Sequence, residues 1–329
     1  MKKIFLALTV LILLGLSLNG RSEITVFANT GSLEKVTVLL EWVPNTNHTG
    51  LYTAQALEYY KQQGLDVEII QAAEGGTAQL IAAGKAKFGM SHQEETTYAR
   101  IENMPVVAVA TIIQHNTSGF ASPAYKEIKT PADFEGKKYG GWGSPIEEAI
   151  LKAFMDKYNA DFNKLEMVSI GAMDFFTSVE RYVDFTWIYY GWDGIAAELR
   201  GMDLNFIDLR KEGLDFYSPI IITSEDTVQN NPELIRRFLK ATAEGYKYAI
   251  NHPEEAAEFL LEACPELDKE LVIASQKYLS TKYLDDASRW GEMTESMWND
   301  YAEWLFEKGL IKSIPEPGKA FTNEFLPEE

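Results

Sequence analysis

The chain has 329 residues, of which 46% are hydrophobic, and a formal net charge of −19. That length exceeds what one compact core usually holds, which predicts two domains, and the acidic balance argues against nucleic acid or anionic lipid as partners. The single cysteine, Cys264, excludes an internal disulfide and any metal site built on several cysteines. We expect Cys264 to be a small buried apolar group on a helix.

The amino terminus has the pattern of an export signal. Lys2 and Lys3 precede an apolar run over residues 4–18, which is short for a membrane span, and a loose A-x-A cleavage pattern follows at 26–28. We predict a signal peptide over residues 1–28; an uncleaved membrane anchor is the alternative. Its removal would leave a net charge of −21, because these residues carry a net +2. No cysteine follows the run directly, so the protein is expected in the periplasm or at the outer face of the membrane without a lipidated cysteine.

Short apolar runs alternate with helical patterns through the first third of the chain. The predicted strands cover residues 36–40, 66–70, 88–90 and 106–113, and the predicted helices between them cover 51–63, 76–83 and 94–103. Gly64 and Gly84 stand just after two of these helices, where a helix C-cap favours glycine. The alternation is typical of a parallel sheet in an α/β domain.

A second α/β unit follows, and the chain then returns to the first. The predicted strands are 138–140, 165–170, 185–190 and 204–208, and the predicted helices are 146–158, 175–179 and 194–200. The return near residues 220–223 leads to amphipathic helices at 234–250, 254–262, 271–279 and 293–308. This organisation predicts two doubly wound lobes with a ligand cleft between them, the first lobe over 36–120 and 220–329 and the second over 121–219.

Four loops rich in polar and aromatic residues follow predicted strands, at residues 42–52, 91–98, 140–145 and 187–194. Because the carboxyl ends of strands in a doubly wound sheet line one crevice, we expect the four loops to converge there. The loop over 140–145 could cradle a phosphate at a helix start, but it lacks the lysine of a phosphate-binding loop and does not match GxGxxG. No arginine lies in these loops, which argues against an inorganic oxyanion as ligand.

Together the loops favour a flat nitrogen heteroaromatic ligand. Tryptophan and tyrosine faces stack on a ring, while carboxylates and amides bind its donor and acceptor edge. We expect Trp42 and an aromatic from 187–192 to stack, and Asn45, Glu94 and Asp193 to bind the polar edge. Taken singly, several of these residues also fit core, capping or helix-dipole roles. The predicted ligand contacts are Trp42, Asn45, His48, Tyr52, Glu94, Trp142, Gly143, Ser144, Trp187, Tyr189, Tyr190, Trp192 and Asp193.

At these loops the chain resembles the thiamine-pyrimidine family of ABC-transporter solute-binding proteins, the ThiY type. The resemblance is carried by Trp42-Val43-Pro44-Asn45-Thr46-Asn47-His48-Thr49-Gly50, Gly141-Trp142-Gly143-Ser144-Pro145 and Trp187-Ile188-Tyr189-Tyr190-Gly191-Trp192-Asp193-Gly194, and it extends from about residue 36 to 325. It implies a type II periplasmic-binding-protein fold and a monomer that captures formylaminopyrimidine, a thiamine breakdown product. It also implies delivery to an ABC permease and its ATPase, with no cofactor, no metal and no catalysis. Near relatives of the family carry riboflavin or other heteroaromatics.

The same superfamily includes a thiamine-pyrimidine synthase, which is the alternative activity. By motif, the lysine that holds pyridoxal phosphate in the synthase corresponds to Ser91 here, its substrate histidine to Glu95, and its cysteine-rich run to residues 214–218. Without that lysine and those thiolates, the chain lacks the residues that perform the synthase chemistry. A hydrolase using His48 and Glu94 as an acid–base pair lacks an evident nucleophile.

Overall fold

A computed structural model describes residues 32–71, 76–171, 173–316 and 318–328; the predicted signal peptide lies outside these ranges. The strands in the described ranges are β1 Glu34–Leu40, β2 Leu65–Gln71, β3 Phe88–Ser91, β4 Val106–Thr111, β5 Ser118–Pro123, β6 Lys138–Gly141, β7 Glu166–Ser169, β8 Phe185–Tyr189, β9 Leu204–Asp208 and β10 Ile220–Ser224. The helices there are α1 Thr49–Ala56, α2 Tyr59–Gln62, α3 Thr77–Ala82, α4 Gln93–Ile101, α5 Pro145–Lys157, α6 Phe175–Arg181, α7 Ile195–Leu199, α8 Glu225–Asn230, α9 Pro232–Asn251, α10 Pro253–Ala263, α11 Lys269–Leu279 and α12 Glu295–Glu307. None of the described helices is long and apolar enough to cross a bilayer.

The strands form two five-stranded sheets of the same design. The first lobe holds the sheet with order β2-β1-β3-β10-β4, and the second lobe holds β7-β6-β8-β5-β9. In each sheet four strands are parallel, while β10 in the first and β5 in the second are antiparallel to their neighbours. The two-lobed α/β prediction is confirmed, and each sheet is mixed, with one antiparallel strand among four parallel ones.

The antiparallel strands are the ones with which the chain passes from one lobe into the other. The parallel strands end at the crevice, so a chain that crosses from the other lobe starts its strand at the crevice and must run the opposite way. Sequence periodicity missed β5, because Ser118-Gly119-Phe120-Ala121-Ser122 offers small side chains rather than an alternating pattern. Every residue of β5 is buried. Gly119 leaves no room for a side chain, since a Cβ there would collide with Ile207 and Phe206.

The helical tail packs on both lobes. In α12, Trp298 stacks on Phe321 beside the first sheet, at a centroid distance of 5.5 Å, whereas Tyr301 and Leu305 belong to the apolar cluster of the second lobe. The lobe bounds predicted above stay a prediction. Cys264 is buried among Leu260 and its apolar neighbours, as expected for a structural cysteine.

Helix α9 holds α1 in place at very short range. A Cβ at Gly245 would collide with the Gly50 carbonyl oxygen, and a Cβ at Gly50 would collide with the ring of Tyr246. Two glycines therefore allow the backbones of these helices to approach closely. Because α1 begins within residues 42–52, the first polar-aromatic loop, this packing fixes the position of that loop.

An ion cluster joins the two crossings between the lobes. His115 lies between β4 and β5, and its Nδ1 is 2.6 Å from Asp215, which precedes β10 on the return crossing. Its Nε2 is 2.9 Å from Asp286 in the tail, and Arg210 Nε is 3.4 Å from Asp215. The hydrogen bond with Asp215 raises the pKa of His115 above its ordinary value, although burial acts in the opposite direction.

This cluster predicts a pH-dependent contribution to stability. A raised histidine pKa stabilises the fold fully below the ordinary value of 6.5 and loses that contribution as the pH rises through the folded-state pKa. We expect His115→Gln to lower the free energy of unfolding at pH 6 by roughly 1 kcal/mol and to have little effect at pH 9. Urea unfolding at both pH values measures this, with His252→Gln, an exposed histidine, as the control. Equal losses at the two pH values would contradict an electrostatic role.

Candidate functional site

The first wall of the site begins where β1 ends. Asn45 caps a short 3-10 helix, Thr46–His48, by accepting from Asn47 N at 2.9 Å, and its own backbone N–H donates to His48 Nδ1 at 3.2 Å. His48 Nδ1 is therefore an acceptor, so Nε2 carries the proton that it donates to Glu41 at 3.0 Å. Burial would raise the pKa of Glu41, but the hydrogen bond from His48 holds it below its ordinary value. Glu41 and His48 thus form a buried pair under the loop.

The tail helices fix this loop from behind. The Tyr246 hydroxyl donates to the Asn47 carbonyl at 2.6 Å, and the Tyr283 hydroxyl donates to the Thr46 carbonyl, also at 2.6 Å. Trp42, at the front of the loop, stays 55% exposed. The backbone is anchored while the indole is available to a ligand.

The second wall is the turn between β6 and α5. Ser144 is the N-cap of α5, and the buried Glu147 accepts hydrogen bonds from the backbone N–H groups of Gly143 at 2.8 Å and Ser144 at 2.9 Å. Trp142 N also donates to Glu147, at 3.1 Å, while the Trp142 indole is 50% exposed. Its ring lies 5.4 Å from that of Trp187 on β8, and Trp187 in turn packs edge-on against Phe120.

Residues from both lobes meet at Ser218, which precedes Pro219. Ser218 Oγ lies 3.0 Å from His92 Nδ1 at the start of α4 and 3.3 Å from the Tyr189 hydroxyl at the end of β8. Burial raises the pKa of Tyr189 to about 12, with smaller contributions from the charges of Glu94 and Glu41. The strand ends of both sheets therefore bring carboxyl, imidazole and phenol groups into one neighbourhood.

Glu94, in the first turn of α4, has the most unusual ionisation of this group. Burial first, and then the charges of Glu147 and Glu95, raise the pKa of Glu94 from 4.5 to about 7. Glu94 also lines a cavity of about 440 Å³ along α4, together with His92, Glu95 and Tyr98. All its lining residues belong to the first lobe, so the cavity lies on the first-lobe side of the candidate site. A carboxyl group that is half protonated at neutral pH can both donate and accept hydrogen bonds.

The predicted site residues separate into several groups. The first group lies in or against the loops just described. Trp42 and Trp142 are exposed there, and Trp187 packs against Trp142. Glu94 is coupled by charge to Glu147, and Tyr189 to Glu94.

Asp193 belongs with the same strand end as Tyr189, since it follows β8 in the π-helical turn Tyr190–Gly194. Burial raises the pKa of Asp193 to about 6, and Tyr189 lies close enough for its backbone to hydrogen-bond the carboxylate. Asn45, Gly143 and Ser144 use their polar groups within the loops, as caps and as donors to Glu147.

Three aromatics predicted to contact the ligand have partners elsewhere. Tyr52 packs in a cluster with Leu260 and Cys264, and Trp192 packs against the same cluster. Tyr190 packs on Phe206 and Tyr278 and donates to Glu198 at 2.5 Å. His48 is likewise fully buried, with both ring nitrogens bonded within the chain. Aromatic residues at strand ends satisfy core packing as well as ligand stacking, and the sequence does not distinguish the two.

The sequence-based set omitted Glu41, His92, Glu147 and Ser218. His92 stands in a loop that the sequence analysis named and Glu41 immediately precedes one, whereas Glu147 has the ordinary appearance of a capping-box glutamate. Only the three-dimensional arrangement places Ser218 between the lobes.

Ser91 and Glu95, the positions that correspond to the lysine and histidine of the synthase, bond to each other. Ser91 Oγ donates to Glu95 Oε2 at 2.6 Å, and Glu95 Oε1 accepts from Ala78 N at 3.2 Å. Ser91 is fully buried. Neither side chain is a free nucleophile.

Comparisons with known proteins agree with the fold. The chain is 28% identical to the formylaminopyrimidine-binding protein of Halalkalibacterium halodurans, over 83% of this chain and 85% of that protein. It is 27% identical to a 4-amino-5-hydroxymethyl-2-methylpyrimidine phosphate synthase of Legionella pneumophila, over 89% and 93%. The fold is similar to that of the periplasmic aliphatic sulphonate binding protein SsuA of Escherichia coli, with a TM-score of 0.69, 14% identity and coverage of 91% and 95%. A family described as NMT1/THI5 like matches residues 45–256, more than half of the chain, and the chain therefore belongs to that family.

Proposed function

We propose that this protein is the exported substrate-binding component of an ABC importer and that it captures formylaminopyrimidine for salvage of the thiamine pyrimidine. The observation that carries the proposal is Glu94, a partly buried carboxyl with a pKa of about 7, coupled by charge to the turn that holds the half-exposed Trp142. The relative that binds formylaminopyrimidine and the two-lobed fold give further support.

The chemistry of Glu94 matches the edge of an aminopyrimidine. A ring nitrogen accepts a hydrogen bond and the adjacent amino group donates one. A protonated carboxyl donates through its O–H and accepts through its carbonyl oxygen, so the two groups pair through two hydrogen bonds. A fully ionised carboxylate offers acceptors only and leaves the ring nitrogen unpaired.

The exposed indoles supply faces for the ring. Trp142 stands on the second lobe and Trp42 on the first, each about half exposed. A ring held between them would contact both lobes, so its binding energy would favour the closed arrangement. The permease and its ATPase would then recognise that closed form.

The alternative activity, a thiamine-pyrimidine synthase, is favoured by similarity to the synthase of Legionella pneumophila. Against it stands the buried Ser91–Glu95 hydrogen bond at the two corresponding positions. Incubation with pyridoxal phosphate, the compound that the synthase holds, followed by its recovery chemically unchanged would support a binding protein, and formation of an aminopyrimidine would support the synthase.

Titrations followed by tryptophan fluorescence and calorimetry test the function directly. We expect saturable one-to-one binding of formylaminopyrimidine, and weaker binding of thiamine and riboflavin. Binding of riboflavin alone would favour a flavin carrier, and no response to any of the three would refute the heteroaromatic site.

The stacking role of Trp142 gives a specific expectation. Trp142→Ala should weaken formylaminopyrimidine binding by about 1–3 kcal/mol, the usual value of a base–aromatic stack, with little change in thermal stability because the indole is half exposed.

Tyr125→Ala is the matched control for this variant. Tyr125 is 74% exposed and lies just beyond the end of β5 that is far from Tyr189. Ser118, at the other end of β5, pairs with Tyr189, whereas Pro123 pairs with Leu204. Equal affinities for the Trp142 variant and the wild type would exclude Trp142 from the site.

A further inference from the structure

The turn before α5 has the geometry of an anion-binding site, and the chain fills it with its own side chain. Three consecutive backbone N–H groups, those of Trp142, Gly143 and Ser144, donate to Glu147 Oε2 at 3.1, 2.8 and 2.9 Å. The Tyr139 hydroxyl donates to Oε1 at 2.6 Å. Consecutive amides at a helix start commonly bind a phosphate. We call these three N–H groups the amide seat. Here a carboxylate takes the place of the phosphate oxygens.

The seat is closed to solvent and shaped for this carboxylate. Glu147 is fully buried, and a Cβ at Gly141 would collide with its Oε1. Glycine at that position therefore leaves the space that the carboxylate occupies. An ordinary capping box needs one bond from the N3 side chain to the N-cap N–H, whereas Glu147 accepts from two further amides and a phenol.

A phosphorylated ligand would meet both a filled seat and negative charge. Among the ion pairs of the described residues, none provides a lysine or arginine to Glu147 or Glu94. The charge of Glu147 is felt at Glu94, so an anion near Trp142 would face two carboxyl groups. Neutral or cationic groups carry no such penalty.

We propose that Glu147 is a specificity-determining residue, whose carboxylate occupies the amide seat beside Trp142 and excludes phosphorylated ligands from the site. This inference rests on the proposed function, because it assumes that the ligand stacks on Trp142. The expected ligand is therefore the uncharged aminopyrimidine and not its phosphate ester.

A matched ligand pair tests the proposal. 4-Amino-5-hydroxymethyl-2-methylpyrimidine and its phosphate differ only in the phosphate group. We expect the wild-type protein to prefer the unphosphorylated compound by about 100-fold or more in calorimetry. Glu147→Gln keeps an acceptor for the amides but removes the charge, and should reduce this preference by about tenfold. Glu148→Gln removes the same charge from an exposed neighbour and should leave the preference unchanged.

Inorganic phosphate gives a second test that needs neither a folded variant nor a pyrimidine. Titrated into the wild-type protein against chloride of equal ionic strength, it should produce no saturable change in tryptophan fluorescence. Saturable phosphate binding, or equal affinity for the two pyrimidines, would overturn the role of Glu147. Failure of both pyrimidines to bind while phosphate also fails would refute the proposed function and leave the filled seat supported.

Discussion

The affinity for a neutral aminopyrimidine is expected to fall by about tenfold for each pH unit above 7 and to change little between pH 6 and 7. The reason is Glu94, whose pKa of about 7 leaves it able to donate a hydrogen bond only in its protonated form. Above pH 7 each binding event must take up a proton from solution. Calorimetry in buffers of different ionisation enthalpy, between pH 6 and 9, measures both the affinity and the proton uptake.

Two variants separate this mechanism from a general electrostatic effect. Glu94→Gln supplies one donor and one acceptor at every pH, so binding should persist and lose its pH dependence. Glu94→Ala should lower the affinity by about 100-fold, since both hydrogen bonds disappear. A wild-type affinity that is constant from pH 6 to 9 would contradict the proposed pairing.

Stability provides an independent check on Glu94. A carboxyl pKa raised from 4.5 to about 7 means that the folded state binds more protons than the unfolded state in this interval, so stability falls as the pH rises. At 1.36 kcal/mol per pKa unit, Glu94→Gln should raise the free energy of unfolding at pH 8 by up to about 3 kcal/mol.

His48→Ala is expected to lower the free energy of unfolding by about 3–5 kcal/mol, the usual cost of leaving a buried carboxylate without its partner. The change leaves the Glu41 carboxylate, whose side chain is 7% exposed, without its partner and removes the acceptor for the Asn45 N–H. Chemical denaturation at pH 7 measures the loss. Glu41→Gln retains an acceptor for His48 Nε2 and should cost clearly less.

The same experiment decides between two roles for His48. If His48→Ala left stability unchanged and abolished ligand binding, the imidazole would be a ligand contact, as the sequence predicted. A loss of stability with ligand affinity preserved in the folded fraction would establish the structural role.

The sequence predicted the features that depend on local patterns. The strands that carry the polar-aromatic loops fall close to their predicted places because apolar runs, glycine caps and loop composition are local signals. β5 was not predicted because its small residues show no alternating pattern. Its neighbours β8 and β9 bury them.

The site was predictable only in part, for a related reason. Trp42, Glu94 and Trp142 stand at strand ends, where topology alone brings residues together. The roles of Glu147 and Ser218 depend on distances across the turn and between the lobes, which no spacing in the sequence encodes. Tyr52 and Trp192 were predicted to contact the ligand, but both pack in or against an apolar cluster, because aromatic side chains next to a loop can also face the core.

The anchoring of the first loop by Tyr246 and Tyr283 has a kinetic consequence. A loop whose carbonyls are already bonded to the tail does not need to become ordered when the ligand arrives, so its conformational entropy is lost during folding and not during association. Encounter rates of related heterocycles should therefore be similar. Discrimination among them would be expressed in how long each remains bound.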